Sequence, residues 1–147
     1  GLRLTGYVST GAPTGGGSRS RLLGMLSYQT NQLSAAAELG ATVDSTASGI
    51  RTPGSFVSLW GAYQVVDSPW GFLLRLDRLD PNTDLAPATA NVAASVRTRT
   101  VAGVSYTLSN AVRVLVDADV SSLAGGAQPN AFAAANRTLF FHTEIKF

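Results

Sequence analysis

The sequence ends on nine residues, Leu139, Phe140, Phe141, His142, Thr143, Glu144, Ile145, Lys146 and Phe147, that alternate and stop on an aromatic. Leu139, Phe141, Ile145 and Phe147, with Thr143 among them, fall on one face, and Phe140, His142, Glu144 and Lys146 on the other. A strand turns successive side chains to opposite faces, so this segment has one oily side and one charged side. In water the oily side would cover a core. Here the charged face recurs strand after strand, which predicts a barrel with inverted polarity, lipid outside and a polar lumen within. In hydrocarbon only a helix or a closed barrel satisfies its own backbone.

Helical insertion is excluded, because no stretch approaches the roughly 18 uncharged apolar residues a membrane helix requires. Strands remain, and composition agrees: 45% of residues are hydrophobic and only 14% charged, below the quarter or so usual in soluble domains. At 147 residues the chain suits one domain over 1–147, without an internal linker. A net charge of +2 with no basic run among aromatics argues against nucleic acid. The absence of cysteine removes disulfides and thiolate metal sites. Gly1 leads directly into strand-like residues with no targeting pattern. That is expected of a mature chain or of one whose leading portion is not shown.

Alternation predicts eight strands, over 2–10, 19–30, 32–43, 55–66, 70–80, 95–108, 111–121 and 136–147. Their lengths match tilted crossings of a bilayer. Tight turns are expected at Asn31, at Asp67-Ser68-Pro69 and at Ser109-Asn110, and longer loops over 11–18, 44–54, 81–94 and 123–135. Long and short connections alternate, as in outer-membrane barrels with brief periplasmic turns and extended outer loops.

The inward set then holds Arg3, Arg21, Glu38, Arg75, Asp77, Arg97, Arg99, Arg113, Asp117, Asp119, Glu144 and Lys146, twelve of the twenty charges (11 Lys+Arg and 9 Asp+Glu). His142 shares their parity. The other eight charges fall in loops, turns or outer strand ends, leaving none at mid-depth on the outward face. A charge at the bilayer midplane would cost about 2–4 kcal/mol. Tyr28, Tyr63, Phe72 and Tyr106 lie near tight turns with outward parity, and Phe147 at the terminus joins them. Together they predict an aromatic belt at the periplasmic interface.

The chain resembles a Gram-negative outer-membrane β-barrel, in particular the C-terminal part of a porin. The terminal strand ending in Phe147 is similar to the signal that the outer-membrane assembly machinery reads in that family. The run Ala102-Gly103-Val104-Ser105-Tyr106-Thr107-Leu108-Ser109-Asn110-Ala111-Val112-Arg113 is similar to the penultimate hairpin of porins of the phosphate-selective O/P type. Asp80-Pro81-Asn82, leaving a strand for a loop, is also porin-like. The barrel resemblance covers the whole chain and the porin-specific part its second half. It implies an outer-membrane location, contact with lipid and with the assembly machinery, and a homo-oligomer or larger membrane complex. General porins have about 16–18 strands around water, whereas eight strands are filled by their own side chains. The inward apolar residues Leu23, Met25, Phe56, Trp60, Leu73, Val101 and Leu115, beside small Ser34, Ala36, Gly40 and Ser58, favour a closed eight-stranded barrel over the last eight strands of a wider one.

Other motifs read more plainly. The glycine-rich 11–18 segment lacks the lysine and following helix of a phosphate loop. Asp80 to Asp84 lacks the spacing of a twelve-residue calcium loop. His142 beside Glu144, Asp117 and Asp119 admits a hydrolytic site, but no placed nucleophile accompanies it. Arg75, Arg97, Arg99 and Arg113 beside Asp77, Asp117 and Asp119 form either an anion-guiding ladder or a salt-bridge network; the nearby acids favour the network.

The expected fold is therefore an all-β, antiparallel, up-and-down transmembrane barrel of eight strands, without catalytic residue, metal or cofactor. Its expected function is passive diffusion of small solutes if the lumen is open, with Arg75, Arg97, Arg99 and Arg113 setting an anion preference. The alternatives are a sealed barrel acting through outer loops or partner subunits, a hydrolase using His142, and, for the fold, a soluble lipocalin-like barrel with the apolar face inward.

Overall fold

In the computed structural model, which describes residues 1–12, 16–84, 96–124 and 136–145, the chain forms one antiparallel sheet. Its strands are β1 (Leu2–Gly11), β2 (Ser18–Gln29), β3 (Leu33–Ser45), β4 (Arg51–Gln64), β5 (Trp70–Asp80), β6 (Val96–Thr107), β7 (Val112–Ala124) and β8 (Asn136–Ile145). Each pairs with its neighbours in sequence, giving an up-and-down order from β1 to β8. No helix occurs among the described residues.

The three tight turns form where expected, and local hydrogen bonds explain them. The Leu33 N–H donates to Thr30 Oγ1 at 2.9 Å, closing the turn at Asn31. At the second turn the Trp70 N–H donates to Ser68 Oγ, and Asp67 adopts a positive φ of 52°, a conformation aspartate tolerates better than most residues. Ser109 Oγ accepts from the N–H groups of Ala111 and Val112 at the third.

The 44–54 connection differs from the expected long loop. β3 runs on to Ser45 and β4 begins at Arg51, with Asp44 opposite Thr52 and Val43 opposite Pro53. Pro53 and Gly54 act here within a strand rather than as breakers. Pro53 lacks a donor, but its carbonyl accepts from the Thr83 N–H at 2.9 Å. A Cβ on Gly54 would stand 2.7 Å from Thr42 Oγ1 and 2.9 Å from the Asp80 carbonyl, so bare backbone permits that close approach. The other long connections lie wholly or partly outside the described residues, as do Lys146 and Phe147.

The sheet is not closed, which corrects the expected eight-stranded cylinder. β1 pairs only with β2, and β8 only with β7. All the residues of β8 are exposed, and all of β1 but Ser9. Alternation fixes which face a residue joins and how far a strand reaches; closure depends on strand number and shear, which alternation does not encode.

The two faces behave as opposites. On β2, Arg21, Leu23, Met25 and Ser27 are half-buried while Leu22, Gly24, Leu26 and Tyr28 are exposed. The apolar face is the open one across the sheet: Leu4, Leu26, Leu59, Leu74, Val116 and Phe141 are all exposed. Buried side chains are few and small, among them Ala36, Val101, Ser58, Ser105 and Asp117. Large aliphatics thus cover one surface of the sheet.

Candidate functional site on the ionic face

Register places a belt of ionic side chains across β4 to β8 on the face opposite the aliphatics. Strand parity puts Ser58, Arg75, Asp77, Arg99, Asp117, Asp119 and His142 on that one surface. Arg75 Nε donates to both oxygens of Asp77, at 3.0 and 2.9 Å, and Ser58 Oγ donates to Asp77 Oδ1 at 2.6 Å. Arg99 donates from Nε and Nη2 to Asp119 Oδ2, at 2.9 and 2.6 Å. His142 Nε2 stands 2.8 Å from Asp117 Oδ2, with the Phe140 ring stacked beside the imidazole. Arg113 donates from Nη2 to Ser105 Oγ at 2.7 Å, and its buried Nε has no partner.

Of the inward residues expected from sequence, Arg75, Asp77, Arg99, Asp117, Asp119 and His142 thus meet in this belt. Arg21 lies apart, near the far end of β2, where it and Arg19 hold Asp44 at 2.5 and 3.5 Å. Glu38 is half-buried between Met25 and Ser58 and makes no ion pair among the described residues. Arg97 is exposed and likewise unpaired there. Glu144 is the cross-strand partner of Arg113. With Gln64, Ser68 and Asn110 these two line a depression of about 500 Å³ at the tight-turn rim.

Arg75 and Arg99 are thus matched by aspartate, whereas Arg97 has no ion pair among the described residues and Arg113 meets the Ser105 hydroxyl. The acids are the shielded partners, and a shielded charge persists only when paired and hydrogen-bonded. Ser58 and Ser105 are the members the sequence reading missed as participants. Their signal was available: each is a small hydroxyl residue on the ionic parity, beside a strand carrying an inward charge.

His142 is held by Asp117, and among the described residues no hydroxyl is hydrogen-bonded to it. Ser105, a buried hydroxyl, accepts instead from Arg113. No cluster of three or more metal-ligating side chains occurs among the described residues.

The aromatic positions fall where parity puts them. Tyr63 pairs with Phe72 across β4 and β5, and both are exposed on the apolar face, as is Tyr28. Tyr106 meets Trp70 edge to face at 4.8 Å. Trp70 shares the parity of Phe72 and lies on the same face.

These features define a class: an eight-stranded up-and-down antiparallel sheet with one apolar and one ionic face. No protein-family model, curated protein or solved structure matches the chain.

Proposed function

We propose that this chain forms wall of a porin-like outer-membrane β-barrel that lets small solutes diffuse passively. The observation that carries the reading is the segregation of exposed aliphatics and paired ions onto opposite faces of strands 10 to 14 residues long. Such strands are long enough to cross a bilayer when tilted. The apolar face meets lipid and the ionic face lines the lumen.

The unpaired edges of β1 and β8 bear on the width. In hydrocarbon each unsatisfied backbone group costs several kcal/mol, so both edges join further strands, from another copy or a larger membrane assembly. The cylinder is then wider than eight strands and leaves its ionic face wet. Because Arg75 and Arg99 are matched by Asp77 and Asp119, the lumen selects weakly, with Arg97 and Arg113 giving a slight anion preference.

A sealed structural barrel is the second reading, favoured by the Ser58–Asp77–Arg75 network. Conductance in a planar bilayer separates the two. Ohmic current steps with weak ion selectivity are expected; full insertion, checked by protease protection, without any conductance would contradict the channel.

A further inference from the structure

The apolar face ends differently at its two rims. At the tight-turn rim it closes on rings, Tyr63, Phe72, Trp70 and Tyr106. At the opposite rim a polar row crosses it, in which Arg78 pairs with Val57 and Thr98, and Thr98 pairs with Ser122 through a 2.6 Å hydroxyl contact. Arg137 lies on the same face, opposite Val120, which stands two residues before Ser122 on β7. Arg51 stands further out on β4, opposite Ser45. All three arginines are exposed, and none has an ion pair or side-chain hydrogen bond among the described residues.

On the ionic face, by comparison, Arg19, Arg21, Arg75 and Arg99 are matched by aspartate, while Arg97 has no ion pair among the described residues and Arg113 meets the Ser105 hydroxyl. Among the described residues, the acid on the apolar face near this rim is Asp80, which accepts from the Asn82 N–H. Eight residue steps separate Trp70 from Arg78, roughly 26 Å along a strand, or about 20 Å of depth at a tilt near 40°. An apolar band of that height ends at head-group level, where a planar guanidinium meets phosphate oxygens in bidentate geometry.

We propose that Arg51, Arg78 and Arg137 form a collar that binds phosphate-bearing lipid head groups along the loop-side rim. This rests on the membrane reading above, but it fails separately from it. The test compares the wild-type chain with the triple variant Arg51→Gln, Arg78→Gln, Arg137→Gln, each reconstituted into phosphatidylcholine vesicles with and without phosphatidylglycerol. Lipid retained after detergent extraction is then quantified. Wild type is expected to retain phosphatidylglycerol preferentially, and each arginine removed should weaken that preference about fivefold. Single variants at Arg78 and Arg137 should each show a part of the loss, and the polar-face variant Arg97→Gln none. An unchanged preference in the triple variant, or equal binding of inorganic phosphate from solution by the wild type, overturns the collar while the membrane reading stands. If neither protein enters either vesicle, both fall together.

Discussion

Arg99 reaches diagonally across the sheet to Asp119, whose direct cross-strand partner is Val101, and places two N–H groups on one carboxylate oxygen at 2.9 and 2.6 Å. Asp119 is the more shielded of the two, with 15% of its side chain accessible against 48% for Arg99. The pair is thus anchored on the acid and wetted on the cation.

Replacing Asp119 by Asn should therefore cost little stability, on the order of 0.5–1 kcal/mol given solvent screening at Arg99. On the channel reading proposed above, its larger effect falls on permeation, because a matched pair becomes a free cation on the face that would line the lumen. Reversal potentials under a salt gradient should move toward anion selectivity. An unchanged potential in a conducting variant would remove Arg99 from the pathway.

Asp117 occupies a tighter position. A Cβ added at Gly103, its cross-strand partner, would stand 2.8 Å from Asp117 Cβ and 3.1 Å from the Val116 carbonyl. Gly103→Ala must displace β7 locally and drag the carboxylate off His142, with a loss of about 1–3 kcal/mol. His142→Ala, which leaves a nearly buried carboxylate without that partner, should cost about 1–3 kcal/mol as well. Urea unfolding of the two single variants and the double measures both terms. If the losses simply add, the glycine acts elsewhere than through Asp117.

Trp70 and Trp60 sit on opposite faces of adjacent strands, since Trp60 pairs with Arg75 on the ionic side and Trp70 with Tyr106 on the apolar side. In a Trp60→Phe variant the remaining indole should be quenched by lipids brominated near the head group and little affected by those brominated at the chain ends. The Trp70→Phe variant should show weak quenching by either. Equal quenching of both indoles would place them at one depth and break the belt.

Much of this architecture was legible in the sequence, for identifiable reasons. Strand number, turn positions and face assignment follow from period-two alternation and from the turn chemistry of Thr30, Asp67 and Ser109. The start of β4 was read four residues late because Pro53 and Gly54 ordinarily end strands, whereas here tertiary contacts with Thr83, Thr42 and Asp80 accommodate them. The open edges were not legible, since a strand that pairs with nothing alternates like one that does. On the ionic face, parity brought the right charges together, but which arginine meets which aspartate depends on diagonal reach across strands. Arg99 passes over Ser121 to take Asp119, a choice that composition and spacing leave undetermined.

The most direct measurement is a single-cysteine nitroxide scan along β5 in reconstituted lipid, made clean by the lack of native cysteine. Labels at 72, 74 and 76 should collide with dissolved oxygen, and labels at 73, 75 and 77 with a water-soluble nickel chelate, in strict alternation. The reverse phase, or no alternation between the two relaxants, would contradict a sheet that turns its aliphatics to lipid and its ions to water.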